Sequence, residues 1–474
     1  PRLTALDPTV SQPESSSSQR DPSPPLPPRR SRHTLAPVPT PKATSSRVDE
    51  IPARGLAPVA THDVPAPAAT PVSQAAQVVP VVPVVTTTIT PTPPAPLSPI
   101  ARVLQLPGRI VNAVLKMLDV TVTASGPRSP LNLAPINDFL FGLFRRVETE
   151  LGLDKPPAVQ HVLPTLTYEP PDAPVKTPTV AQFLNASTVE YVLGGVPGGM
   201  VPLTVHGFQM QYGNIFTGSA GRAWVTPDQQ IVIAYQGTTG GTNLLFNPLM
   251  AIGQTITDLQ VVFTDRPPPA FTDALRFAQK VQAEAVRQGY GADDVFVTGH
   301  SLGAWQAQYV AQRIGLAGVG FEGPGLNTAV PGNGAESMFV NIATYGDVAP
   351  YLSTDLPGMQ SLMPAYVPAG GTKPHYGPIV MIGDPQEAWP VLNASAGLWS
   401  LDLIRTAIYG LSLFLNAIGH HLPGVQAYHL DVDPDPGVVP WYGFPSGTVH
   451  QGWGQFTIPE LKAAASDAGR LIAP

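Results

Sequence analysis

The sequence predicts an α/β fold with a central, mostly parallel sheet, preceded by a disordered proline-rich segment and a small helical segment. Three observations carry this prediction. Strand-like and helix-like patterns alternate regularly after residue 178. A glycine-rich turn at residues 299–303 joins a strand pattern to a helix pattern. By contrast, the first 100 residues hold 23 of the 58 prolines and show no such alternation.

Composition narrows the range of functions. Hydrophobic residues make up 43% of the chain, which is enough for a sizeable core. The net charge of −7 leaves no general basic field to hold phosphate backbones, so we expect no nucleic-acid partner. The sequence has no cysteine, which excludes disulfides, thiolate metal sites and a cysteine nucleophile. It also has no run of 18 uncharged apolar residues, so we expect no transmembrane segment.

The chain divides into four predicted regions. Residues 1–98 are too rich in proline, serine and alanine to bury a core, and predict a disordered linker. Fully extended, such a linker would reach roughly 30 nm, either as a tether through a cell wall or as a spacer without a task of its own. Residues 99–155 predict a helical segment, residues 156–178 a proline-rich joint, and residues 179–474 the α/β domain.

The helical segment carries two amphipathic patterns. The first runs from Ile100 to Leu118 and is interrupted at Pro107, and the second runs from Phe139 to Val147. Such a pair either packs on the following domain or forms an independent module. We favour packing, because so small a helical hairpin has little core of its own.

Within the α/β domain, the elements follow one another in order. Residues 221–238 predict two strands joined by a turn at 226–229, and the second strand is apolar enough to be central. Apolar residues from Phe271 to Ala285 recur at helical spacing and end before Gly289, a predicted C-cap. Residues 294–298 then predict a short β-branched strand.

The turn after that strand reads GHSLG and holds Ser301 between the strand and a helical pattern. This is the nucleophile-elbow arrangement of the α/β-hydrolase fold. The turn projects the serine oxygen at the sheet edge, and neighbouring backbone leaves no room for a Cβ at Gly299 or Gly303. Ser301 is therefore the predicted nucleophile. The alternative is a glycine-rich turn without chemistry.

Acyl transfer at a serine also needs backbone donors for the developing oxyanion. Leu302 follows the nucleophile at a helix N-terminus, so its N–H group is one candidate. The second is Thr238, which follows the predicted central strand after Gly237, where glycine lets the backbone turn. The alternative for this segment is an ordinary hairpin turn.

Four segments resemble the lipase family typified by fungal triacylglycerol lipases, and still more the related bacterial secreted lipases. They are YQGTT at 235–239, TDLQ at 257–260, GHSLGA at 299–304 and FEGPG at 321–325. The resemblance covers residues 179–433, while the proline-rich lead and helical segment look like those of exported mycobacterial proteins. It implies a serine carboxylic-ester hydrolase of lipid or other acyl esters, without cofactor or metal, that is secreted or cell wall-associated.

The resemblance also implies the partners of the serine. The acid of this family ends a later strand, and strand-like residues 338–344 deliver Asp347 in YGDV, with Asp355 and Asp384 as alternatives. Histidines that follow the acid are His375, His420, His421, His429 and His450. His375 resembles a second family histidine that is not the base. His421, which begins HLPGVQAY, resembles the late catalytic histidine and is the predicted base.

A lid is expected between the oxyanion residue and the next helix, where lipases of this family carry it. Residues 240–253 hold no charge and hold the lid candidates Leu244, Leu245, Phe246, Leu249 and Met250. Such a cover would open at a lipid–water interface. A second apolar stretch, residues 398–418, reads as either an interfacial helix or a core helix.

Three other functions stay open. A triad does not define the acyl group or its acceptor, so the chain could be a phospholipase, a polyester hydrolase or an acyltransferase. It could also be a non-catalytic cell-surface binding protein that keeps the elbow as structure. A calcium-binding module is suggested by Asp431, Asp433 and Asp435, but the intervening prolines and the missing distal glutamate favour a solvated turn.

Overall fold

Strands and flanking helices alternate along the chain, as the predicted fold class requires. The computed structural model describes residues 91, 93–107, 109–110, 113, 134–192, 195–238, 267–326, 330–360, 373–399, 402–433 and 446–474. These all belong to one compact unit, Val84–Pro474. Most of the predicted linker, all of the lid candidates and most of the first amphipathic pattern beyond residue 110 lie outside the described residues.

The helices lie between and beyond the strands. They are α1 Pro99–Leu104, α2 Ala134–Leu151, α3 Val180–Val189, α4 Pro269–Arg287, α5 Leu302–Ile314, α6 Val348–Tyr351, α7 Ala388–Gly397, α8 Leu403–His421, α9 Pro423–His429 and α10 Ile458–Asp467. Several of these helices begin or end at residues that are typical helix caps. Thr179 forms a capping box with Gln182 at α3, Asp402 accepts two backbone N–H groups at α8, and Gly315 ends α5 in the left-handed conformation.

The strands are short at the beginning and end of the domain and longer in its centre. They are β1 Val201–Pro202, β2 Thr204–Val205, β3 Phe208–Gln209, β4 Gln211–Asn214, β5 Ser219–Val225, β6 Ile231–Tyr235, β7 Val295–His300, β8 Ala317–Phe321, β9 Phe339–Thr344, β10 Ile379–Ile382 and β11 Leu471–Ile472. Within the described chain, nine of them form one sheet in the order β1-β5-β6-β7-β8-β9-β10-β11, with β4 also paired to β5.

The centre of the sheet is parallel. Strands β6, β7, β8, β9 and β10 pair in parallel with one another, whereas β5 is antiparallel to β6 and β11 is antiparallel to β10. Their carboxyl ends therefore meet at one edge, where sheets of this kind place their sites. The predicted hairpin and the predicted strand before the elbow are β5, β6 and β7.

Both faces of the sheet are covered. Every residue of β6 is buried, as expected of a parallel strand between two helical layers. Val232 and Ala234 belong to the core shared with α3 and α10, and Ile231 and Ile233 to the core shared with α4 and α5. This period of two explains why the strand reads as a continuous apolar run.

Helix α2 packs on α8 with the face that the amphipathic pattern did not select. Phe141 and Glu148 are buried, whereas Phe139 on the predicted apolar face is 70% exposed. Glu148 accepts hydrogen bonds from Ser412 and Asn416 of α8 and from Arg145. A satisfied polar contact therefore holds α2. Among the described helices, none is both long and apolar enough to cross a bilayer.

Candidate active site

Ser301 occupies the tight turn between β7 and α5. Its backbone has φ 59° and ψ −126°, and its N–H donates to the Phe321 carbonyl at 2.9 Å. A Cβ at Gly299 would lie 2.2 Å from the backbone of Gly303, and one at Gly303 would lie 2.2 Å from the Tyr235 carbonyl oxygen. The two glycines are thus required by crossing backbone, which is the reason that the sequence analysis gives for them.

The candidate oxyanion residues flank this turn. Leu302 is the first residue of α5, so its N–H has no partner within the helix. Thr238 follows β6, whose last residue pairs with Gly299 of β7. A Cβ at Gly237 would lie 1.9 Å from the Tyr191 hydroxyl and 2.4 Å from the His300 carbonyl oxygen. The backbone before Thr238 therefore passes directly against the residue that precedes Ser301.

Asp347 and His421 form a hydrogen-bonded pair. His421 Nδ1 lies 2.7 Å from Asp347 Oδ2, and the Asp347 side chain is fully buried while that of His421 is 20% exposed. Asp347 Oδ1 also accepts from the Ala349 N–H at 3.0 Å, at the start of α6. The acid comes from the turn after β9 and the histidine from the last residue of α8. In a neutral His421, a proton on Nδ1 leaves Nε2 as the acceptor.

His300 connects the elbow to His421. Its Nε2 lies 2.6 Å from the His421 carbonyl oxygen, which can only accept, so we place the ring proton on Nε2. Nδ1 then accepts from the Tyr191 hydroxyl at 2.9 Å. The rings of His300 and His421 have centroids 4.8 Å apart. Burial, and then the neighbouring His421, hold the pKa of His300 well below its usual value, so His300 stays neutral.

The other histidines bond elsewhere. His375 Nδ1 lies 2.9 Å from Asp355, and its Nε2 lies 2.9 Å from the Gly323 carbonyl oxygen. His420 Nε2 faces Arg145 at 2.5 Å, and burial and this guanidinium hold the pKa of His420 well below its usual value. His429 bonds the Thr448 carbonyl, and His450 stacks on Trp453.

The alternative acids, and Asp431 among the aspartates that suggest a calcium site, have other partners in the structure. Asp355 pairs with His375, and Asp384 accepts from the Thr448 hydroxyl. Asp431 accepts from the Gly452 N–H at 3.1 Å, whereas Asp435 lies outside the described residues. Within the described ranges, no three histidine, aspartate or glutamate side chains gather as a metal site would require.

Glu322 is a buried acid at this edge to which the sequence analysis gave no role. It follows β8 directly, and its side chain is fully buried. Burial, and then Asp347, raise its pKa well above the usual value. The sequence signal for such a residue is an acid immediately after an apolar strand, as Glu322 follows β8 in FEGPG.

The chain therefore has an α/β-hydrolase fold, with a serine in the turn after β7 and a hydrogen-bonded histidine–aspartate pair. Two solved structures to which it is similar are lipases. One is a lipase from Rhizopus microsporus var. chinensis, at 18% identity and a TM-score of 0.29, covering 48% of this chain and 84% of that one. The other is the extracellular lipase LipA from Serratia marcescens, at 17% identity and a TM-score of 0.24, covering 36% and 38%. No protein-family model and no curated protein matches the chain.

Proposed function

We propose that this protein is a serine carboxylic-ester hydrolase that acts on lipid-like acyl esters through a Ser301–His421–Asp347 triad. The observation that carries the proposal is the 2.7 Å hydrogen bond between His421 and the buried Asp347. It lies at the same sheet edge as the serine elbow. A histidine held in one tautomer by a buried carboxylate is what a serine needs as its general base.

The reaction would proceed in two halves. His421 Nε2 takes the proton of Ser301 Oγ as that oxygen attacks the ester carbonyl carbon, and Asp347 stabilises the imidazolium that forms. The N–H groups of Leu302 and Thr238 would donate to the oxyanion. His421 then protonates the leaving alcohol, and a water molecule activated in the same way releases the acid. Because His300 stays neutral, it adds no competing charge beside the imidazolium.

The experiment combines p-nitrophenyl ester hydrolysis with fluorophosphonate labelling of the full chain. We expect Ser301→Ala to lose labelling and to reduce kcat by at least roughly 10⁴-fold, because the attacking oxygen is gone. Ser187→Ala is the control, since Ser187 is a buried serine whose hydroxyl donates to the Leu184 carbonyl within α3. Labelling that persists in Ser301→Ala would refute the assignment.

The base is tested with a second matched pair, His421→Gln and His429→Gln. Both side chains lie at the end of a helix, but only His421 bonds Asp347. The first variant should lose roughly 10⁴-fold in kcat and the second far less. The reverse order would reassign the base.

The substrate class is determined by activity assays on the wild-type protein. Acyl chain-length preference in the ester series, together with hydrolysis of triacylglycerol, phospholipid and polyester, names the acyl donor. Transfer of the acyl group to an added alcohol instead of to water would indicate an acyltransferase. A wild-type protein that neither labels nor hydrolyses any ester would favour the surface binding protein.

A further inference from the structure

Glu322 lies between the nucleophile and the acid along the sheet edge. His300 and Phe321 are register partners on β7 and β8, so Ser301 and Glu322 are the next residues of neighbouring strands. The Glu322 N–H donates to the Ile342 carbonyl of β9 at 2.9 Å. Asp347 comes from the turn after that same strand.

Among the described residues, the Glu322 carboxyl contacts a threonine and a second acid. Thr344 donates to it twice, from its hydroxyl to Oε1 at 2.6 Å and from its N–H at 3.1 Å to either oxygen. The other neighbour is Asp347, whose negative charge and hydrogen bond are among the causes that raise the pKa of Glu322. Both acids are fully buried. Two facing carboxyl groups that are both fully buried cannot both be ionised, so one of them holds a proton.

The proton belongs on Glu322. Asp347 accepts hydrogen bonds from Ala349 N–H and from His421 Nδ1, and both donors stabilise a negative charge on it. Glu322 accepts only from Thr344 among the groups named above. Burial, and then the charge of Asp347, raise the pKa of Glu322 well above its usual value. Besides His421, the buried Tyr351 of α6 lies near both acids, and burial raises its pKa well above the usual value, so it stays neutral.

The backbone at Glu322 is held under constraint. Its φ of 53° lies in the left-handed region, which non-glycine residues rarely occupy. Ser301, its neighbour across the sheet, has φ 59°. Conformations of this kind persist where the surroundings over-determine them, and they gather at functional sites. A buried glutamate kept in this conformation therefore needs an explanation beyond packing.

We propose that Glu322 is a positioning residue, whose protonated carboxyl donates a hydrogen bond to Asp347 and so fixes the carboxylate that orients His421. The pair then carries one negative charge shared over two side chains. No bond to substrate is involved, and the proton stays between the two acids. The catalytic consequence rests on the proposed function, whereas the placement of the proton does not.

The experiment compares Glu322→Gln with Glu322→Met. Glutamine keeps a neutral donor of the same length, and methionine keeps the length without a donor. We measure kcat and KM on a p-nitrophenyl ester, and the pKa of His421 by NMR of labelled histidine. Glutamine should keep kcat within about 3-fold, whereas methionine should lower it roughly 10–100-fold at similar KM, as expected for a lost hydrogen bond to a charge.

The NMR readout separates this proposal from the proposed function. Without the donor, the Asp347 charge is less stabilised, so His421 should become more basic, by about one pH unit in the methionine variant and little in the glutamine variant. The measurement is repeated in a Ser301→Ala background, where it needs no activity. Equal His421 pKa values in the two variants, or an equal loss of kcat, would overturn the proposal even if Ser301 proves to be the nucleophile.

Unfolding gives a measure that needs neither activity nor the methionine variant. Because its pKa is raised in the folded state, Glu322 holds a proton above pH 4.5 that the unfolded chain releases. Wild type should therefore lose stability relative to Glu322→Gln as the pH rises from about 4.5 until Glu322 ionises. A difference in the midpoint denaturant concentration that is constant with pH would show that Glu322 carries no such proton.

Discussion

At the scale of single residues, the site is shaped as much by missing side chains as by present ones. Gly299 and Gly303 pass each other and Tyr235 so closely that no Cβ fits, and Gly237 lies against Tyr191. These contacts fix the backbone from which Ser301, Leu302 and Thr238 project. The positions of the glycines therefore decide where the donors point.

Gly237→Ala is a direct test of this packing. Its new Cβ would lie 1.9 Å from the Tyr191 hydroxyl, so the loop carrying Thr238 must shift. A displaced oxyanion donor should cost at least roughly 100-fold in kcat, with a smaller effect on KM. Steady-state kinetics on a p-nitrophenyl ester measures both.

The control is Gly142→Ala. Nothing lies within 4 Å of a Cβ at this position of α2, so the variant should gain up to about 1 kcal/mol of stability and keep its activity. Full activity in Gly237→Ala would show that the loop tolerates a Cβ and that its contact with Tyr191 does not set the donor position.

The role proposed for Glu322 could not be predicted from the sequence, unlike those of Ser301, Asp347 and His421. Ser301 stands in a motif whose spacing itself carries the chemistry, and Asp347 and His421 follow it in the expected order along the chain. Glu322 acts through a neighbour that is 25 positions away in sequence. Only the pairing of β8 with β9 brings the two acids together. Such a contact depends on strand register, which cannot be read from a single sequence.

At the scale of elements, the polar contact between α2 and α8 matters because α8 ends in His421. Glu148 is buried and accepts from Ser412 and Asn416, and Arg145 faces both Glu148 and His420. His420 directly precedes the histidine that pairs with Asp347, and Asn416 lies five residues before that histidine on the same helix. Helix α2 thus belongs to the support of the site.

Glu148→Ala should therefore weaken both folding and catalysis. Removing a buried carboxylate takes away the acceptor that Arg145, Ser412 and Asn416 share, which should cost about 3 kcal/mol in the free energy of unfolding. Chemical denaturation measures this value. Glu150→Ala, an exposed acid on the same helix, should change it by less than about 0.5 kcal/mol. Equal effects of the two substitutions would mean that α2 is not held by this network.

The elements of the sheet were more predictable than those around it. Strands β5, β6, β7 and β9, together with α4 and α5, follow from apolar periodicity because each buries a full face. The two-residue strands β1, β2, β3 and β11 are too short to show a period. For α2 the pattern located the helix but not its packing face, because periodicity cannot weigh a buried Glu148 against an exposed Phe139. The region boundaries at 98, 155 and 178 stay a prediction.

At the scale of the whole molecule, buried neutral histidines tie folding to pH. The pKa values of His300, His420 and His429 are lowered by burial first, and that of His450 is lowered to about 4. The unfolded chain binds protons at these positions below pH 6.5, whereas the folded chain does not. Stability should thus be fully present above pH 6.5 and be lost as the pH falls.

The expected slope is about 1.4 kcal/mol per pH unit for each histidine that stays neutral, offset in part by Glu322, whose raised pKa acts in the opposite direction. Denaturant unfolding at pH 7.5, 6.5 and 5.5 measures the sum. His429→Gln should reduce the slope of the unfolding free energy against pH by up to the contribution of one proton. If its slope matches that of wild type, His429 does not contribute to the acid transition.

The histidine that pairs with Asp347 lies 74 positions after it in the chain, and the structure describes residues 348–360, 373–399 and 402–420 of that interval. Helices α6, α7 and α8 and strand β10 lie between them, and α7 and α8 pack together outside the sheet. Ser301, Glu322 and Asp347 follow the ends of β7, β8 and β9, so strand pairing sets their spacing. His421 instead comes from the end of a helix outside the sheet. The length of the chain between Asp347 and His421 is therefore not fixed by the strand register that places the other three residues.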